Sequence, residues 1–195
     1  PSRRSTLRKK KKKDKDGNII PDRTPKQRKN NIKFTFARYM FAFIREGFGD
    51  LPVWKIAAAQ RGMTDDNLIH STNYKYLDEK GEILDMEGFQ VSLGPLALPI
   101  NLRATRNSTL VTITWDDSRD NPSAAPTDRM MVGIFYANYR DTFTLEKETG
   151  ATRRDGKCEI ILRDDDGEVC IHPFFARADN TAFSEDKTIT LPDTE

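Results

Sequence analysis

The segment from Leu110 to Leu191 restricts what this chain can fold into more than any other part of it. In Leu110-Val-Thr-Ile-Thr-Trp115 the apolar Val111, Ile113 and Trp115 alternate with Thr112 and Thr114, the period-two pattern of a strand with one buried face. Met130 to Asn138, Thr142 to Lys147, Lys157 to Arg163, Glu168 to Arg177 and Thr188 to Leu191 repeat the theme, divided by clusters of Asp, Asn, Gly and Pro. That succession predicts an antiparallel β-sandwich. Pro99 confines a further segment, Leu96 to Leu102, to a sheet edge. Seven strands beginning at Leu96, Leu110, Met130, Thr142, Lys157, Glu168 and Ala182 match a fibronectin-III/Ig-like sandwich better than an eight-stranded jelly roll.

A helical unit over 24–80 precedes the strands. Thr24-Pro-Lys-Gln27 opens a helix: Thr24 caps it, Pro25 stands where a missing N–H costs nothing, and Gln27 completes a capping box. Ile32, Phe36, Met40 and Ile44 recur every four residues with Ala37 and Phe43 beside them, an apolar stripe that Gly47 ends. Phe34 and Phe41 lie off that stripe and predict a second covered face, against the sandwich or another chain; core within the chain is favoured. Asp50 to Gln60 reads as a short second helix closed by Gly62, and Thr64-Asp-Asp-Asn67 caps a third running to Tyr74. Trp54 is read as a core anchor ahead of an exposed stacking surface. Phe34, Phe41, Phe48 and Trp54 are the candidate protein-interface residues. Glu82 to Met86 and Phe89 to Leu93 suggest a connecting hairpin over 81–95, and the sandwich then occupies 96–192.

Charge divides the chain where the patterning does. Residues 1–30 hold 13 Lys/Arg and 3 Asp, a net of +10, while the remaining residues hold 19 Lys/Arg and 27 Asp/Glu, a net of −8. Residues 1–23 have almost nothing apolar beyond Leu7, Ile19 and Ile20, so the segment cannot fold alone and is expected to be disordered or partner-bound. Arg3, Arg4, Arg8, Lys9, Lys10, Lys11, Lys12, Lys13 and Lys15 make it a candidate electrostatic arm for phosphates or an acidic partner, without base-reading motifs or interleaved aromatics. No export leader and no run of about 18 apolar residues occurs in the sequence, so neither a signal peptide nor a membrane span is expected and the compartment is left open. Folding Lys157–Arg163 onto Glu168–Arg177 about Asp164-Asp-Asp-Gly167 sets Ile161 opposite Cys170 and leaves Cys158 out of register, which predicts two free thiols.

Chemical motifs are sparse. Asp116 to Asp128, the longest loop of the sandwich, carries carboxylates without the spacing or glycine of a calcium loop, and Asp164 to Asp166 are discounted likewise in favour of turn chemistry. The only histidines are His70 and His172. Cys170 and His172 share one strand face, yet nothing in sequence supplies a third partner or an oxyanion site. No catalytic residue, metal, cofactor or small-molecule substrate is therefore expected.

From Thr24 onward the chain resembles a Bacteroidota family of about 200 residues, the length of one domain with an appendage, defined as a domain of unknown function. The residues that carry the resemblance are Thr24-Pro-Lys-Gln-Arg28, Phe48, the region of Asn73, Val91-Ser-Leu-Gly-Pro-Leu96, Val111-Thr-Ile-Thr-Trp-Asp116 and Ala125-Pro-Thr-Asp128. Phe135-Tyr-Ala-Asn138, Ala151-Thr-Arg153, Phe174-Phe-Ala-Arg-Ala-Asp179 and Phe183-Ser184 continue it. The family's basic stretch matches Pro1-Ser-Arg-Arg-Ser5, after which this chain carries an expanded lysine run. The resemblance implies an N-terminal helical part followed by a sandwich and implies no activity. Two functions stay open: a structural or assembly protein making protein contacts or self-associating, as in a phage-like particle or surface assembly, and a nucleic-acid binder acting through the arm.

Overall fold

The computed structural model describes residues 15–16, 24–116, 121, 123–163 and 167–193, with the side chains of 139–142 set aside. Three helices, α1 (Pro25–Phe48), α2 (Val53–Ala59) and α3 (Asp65–Asn73), precede seven strands. The strands are β1 (Ile100–Asn107), β2 (Leu110–Asp116), β3 (Arg129–Tyr136), β4 (Tyr139–Glu146), β5 (Lys157–Ile161), β6 (Val169–Ala176) and β7 (Ile189–Leu191). They form two antiparallel sheets, β1-β2-β5 and β4-β3-β6-β7, so the chain is α+β with the two-sheet arrangement of a sandwich.

The capping box that starts α1 is present: Gln27 N donates to Thr24 Oγ1 (3.2 Å) and Thr24 N donates to Gln27 Oε1 (2.9 Å). The helix runs past Gly47 to Phe48, and Gly49 at φ 58° closes it, because glycine adopts positive φ without Cβ strain. Gly47 instead serves packing. A Cβ there would fall 2.5 Å from the Phe143 ring, and one on Gly133 would fall 2.9 Å from the same ring, so two glycines let α1 and β3 close on Phe143.

Alternation along β6 explains why there are two cores. Cys170, Phe174 and Ala176 project toward the helices, with Met131, Phe135 and Phe143. Val169, Ile171 and Phe175 project between the sheets, with Val111, Ile113, Trp115, Met130, Val132 and Ile134. The four-stranded sheet is thus the middle of three layers. Pro173 sits inside β6 at no cost to the ladder with β3: its carbonyl accepts from Lys187 N (3.2 Å), on the side facing β7 but beyond the β6–β7 ladder, which pairs only Val169–Ile171.

Several expectations need correction. Lys157–Arg163 and Glu168–Arg177 are not a hairpin: β5 pairs with β2 in one sheet and β6 with β3 and β7 in the other. Both thiols are free, because they lie in different sheets rather than because of a register offset. The first strand begins after Pro99, at Ile100, whereas Leu96 makes a single bridge to Ser184. The seventh is Ile189–Leu191, and Phe183 only bridges Ala176. Residues 81–95 contain no hairpin; an isolated bridge from Leu77 to Ile83 fixes them instead. Among the described residues no helix is long and apolar enough to cross a membrane.

Candidate functional site

Two arrangements stand out, a buried polar relay and an exposed apolar stripe. In the relay, β6 brings Cys170 and His172 to its helix-facing side by strand alternation, and the link between β6 and β7 delivers Asp186. His172 Nδ1 lies 2.7 Å from Asp186 Oδ2 and Nε2 lies 3.8 Å from Cys170 Sγ, with Thr190 Oγ1 also 3.8 Å from the sulfur. Burial by itself would lower the His172 pKa, but hydrogen bonds to Asp186 and Cys170, with their charges, override it and hold the imidazole at about 9. Cys170 lines a cavity of about 380 Å³ walled by Met40, Ile83, Met86 and Phe135.

Thiol, imidazole and carboxylate thus stand in the order of a nucleophilic relay. The backbone at Cys170, however, is engaged in ladders with Phe135 on one side and Thr190 on the other, so this strand does not supply the N–H pair that an oxyanion needs. Asp186 has a structural task as well: Oδ1 accepts from Val91 N (2.9 Å) and Ser92 N (2.8 Å), and Ser92 Oγ donates to the Ser184 carbonyl (2.7 Å). These bonds fasten the segment after the helices to the four-stranded sheet. Sequence reading missed Asp186 because it lies 14 residues beyond His172 in a connecting segment with no motif.

The loop after β2 contributes a different buried charge. Asp128, fully buried, meets Arg153 Nε at 3.4 Å and Arg177 Nε at 3.3 Å, and accepts from Ala125 N (2.9 Å). Arg153, also fully buried, donates to the Ala97 carbonyl (2.8 Å) and lies over the Phe175 ring at 4.2 Å. Asp128 is therefore a packing charge. Asp116, at the end of β2, accepts from Asn101 Nδ2 (2.6 Å), and residues 117–120, 122 and 164–166, which hold the remaining discounted carboxylates, lie outside the described residues. Among the described residues no cluster of three or more His, Cys, Asp or Glu could hold a metal ion.

The apolar stripe runs along α1, and it differs from the one read in the sequence. Ala37, Met40, Phe41, Ile44 and Phe48 are buried, whereas Ile32 (53% exposed), Phe36 (45%), Tyr39 (62%) and Phe43 (48%) face outward. Steps of four residues had merged two faces, because four residues overshoot a 3.6-residue turn and the line drifts around the helix. Of the candidate interface residues, Phe41, Phe48 and Trp54 are core, 2–3% exposed, and offer no surface. Phe34 remains 43% exposed with its ring 4.8 Å from that of His70 on α3. In the arm, Arg3, Arg4, Arg8, Lys9, Lys10, Lys11, Lys12 and Lys13 lie outside the described residues, and Lys15 is exposed in a turn.

No family model matches the chain, which leaves the resemblance to the Bacteroidota domain resting on the residues quoted for it. No curated protein matches it either. Among solved structures it is similar to a myokine structure, at 15% identity and a TM-score of 0.38, over 52% of this chain and 100% of that one.

Proposed function

We propose that this is a non-enzymatic structural or assembly protein that binds protein partners through the outward face of α1. The observation that carries this reading is the row Ile32, Phe36, Tyr39 and Phe43, four large apolar side chains about half exposed along one helix whose other apolar face is fully packed. A contiguous apolar row of this kind marks a contact site. The buried relay fits the same reading, since its carboxylate fastens backbone. The body is a fibronectin-III-like sandwich, supported by the orders β1-β2-β5 and β4-β3-β6-β7: a constant-type immunoglobulin sandwich keeps its fourth strand in the first sheet, and here that strand pairs in the second.

The net +10 of residues 1–30 favours a second reading, in which the arm binds nucleic acid without reading its sequence. Light scattering separates the two, on the full chain and on residues 24–195, each with and without duplex DNA at low and physiological salt. The assembly reading expects concentration-dependent oligomers that survive both arm deletion and salt. Monomers throughout, with DNA binding that vanishes on arm deletion and falls steeply with salt, would overturn it in favour of the second reading.

A further inference from the structure

We propose that a second copy of this chain covers the outward face of α1, the two helices lying antiparallel about a two-fold axis between residues 37 and 38. This rests on the assembly reading and names its partner. Ile32, Phe36, Tyr39 and Phe43 follow steps of four, three and four, the seam spacing of a two-helix contact, and Lys29 and Glu46 continue the repeat by three residues at either end. Antiparallel about that axis, Phe36 meets Tyr39 of the second copy, Ile32 meets its Phe43, and Glu46 meets its Lys29 with Arg28 alongside. One rotation satisfies all six positions in a single register, as a self-complementary contact requires. A parallel pair in register would set Glu46 against Glu46 and Lys29 against Lys29, like charges face to face. The antiparallel pair also opposes the two helix dipoles.

The inward face of α1 is already taken, with Ala37, Met40 and Ile44 packed into the core and Arg45 paired with Asp66 of α3. Gly81 borders the outward row, so close to Phe36 that a Cβ on it would fall 2.4 Å from the Phe36 Cβ. Lys29 pairs with Glu79 at a site where both side chains are about 60% exposed, which leaves its ammonium free to reach a second carboxylate. With about half of each side chain exposed, the four apolar residues present roughly 400 Å² per copy, or about 800 Å² for the pair. Arg28, Lys29 and Glu46, exposed at the two ends of the row, raise this toward about 1,200 Å², the lower bound of a specific interface.

The test is made in the full-length chain. Ile32→Cys and Phe43→Cys proteins, mixed under mild oxidation, are expected to cross-link to each other and neither to itself, since equal positions would stand eleven helical residues, about 16 Å, apart. The native Cys158 and Cys170 are 3% and 7% exposed and do not compete. A Phe36→Asp/Tyr39→Asp double variant should keep the parent's far-ultraviolet circular dichroism and should weaken the dimer at least about 100-fold in sedimentation, by setting carboxylates against one another at its centre, so that its thermal midpoint loses the rise with concentration that the parent's shows. Self-cross-linking of either cysteine variant, a parent monomeric at every concentration, or a dimer that appears only after residues 1–23 are removed overturns the proposal. Oligomers undiminished in the double Asp variant overturn this pairing while leaving the assembly reading standing.

Discussion

His172 binds its proton more tightly when the protein is folded, so its protonation is linked to stability. With the folded pKa raised to about 9 above a reference of 6.5, the contribution is fully present below pH 6.5 and is lost as pH rises toward 9; a rise of that size is worth about 3 kcal/mol. Urea midpoints should therefore fall between pH 6.5 and 9, and Asp186→Asn, which keeps an oxygen for Val91 N and Ser92 N but removes the charge, should flatten that fall. An equally steep profile in Asp186→Asn would show that the pair is not its source. Asp128 is a sharper case, since its carboxylate faces Arg153 with neither side chain more than 1% exposed. Asp128→Ala leaves a buried guanidinium without its charge partner and is expected to cost about 3–5 kcal/mol in urea unfolding.

At the scale of elements, the contact between α1 and the four-stranded sheet turns on Phe143, whose ring fills the space between Gly47 and Gly133. Gly133→Val would drive side-chain atoms into that ring and into Val91, with an expected loss of about 1–3 kcal/mol by overpacking and no change in the far-ultraviolet helix signal. This contact was not legible in the sequence, where the two glycines read as a helix end and a strand residue; only the fold says which ring they make room for. What sequence displayed well was local: the Thr24 cap and the alternation of Val111, Ile113 and Trp115 depend on neighbours a few residues away. Pairing was hidden. The short turn after Ile161 looks like a hairpin, yet the apolar alternation of β5 serves the inter-sheet core beside β2, and the chain crosses to the other sheet before β6 begins. The faces of α1 were half legible. The sequence showed Ile32, Phe36 and Phe43 as apolar but ran them together with Met40 and Ile44 and passed over Tyr39; which of two overlapping apolar rows turns inward is settled by where the sheet lies.

For the whole molecule, the placement of the four-stranded sheet between two apolar layers makes the helices part of the sandwich's stability. Trp54, Leu68, Ile69 and the buried side of α1 share one core with Met131, Phe135 and Phe174. Removing residues 1–95 would bare that face of the sheet, including Phe135, Phe143, Phe174 and Phe183, each no more than 8% exposed in the intact chain. An apolar surface of that extent exceeds what a soluble monomer carries. A fragment spanning 96–195 is therefore expected to aggregate or to bind a hydrophobic dye strongly, whereas 24–195 should unfold in a single urea transition whose midpoint is the same by tryptophan fluorescence and by helix circular dichroism. Trp54 reports the helical layer and Trp115 the inter-sheet core, so phenylalanine replacement of each in turn separates the two signals. Two midpoints, or a stable monomeric 96–195 fragment, would mean that the layers fold independently and that the shared core contributes little to cooperativity.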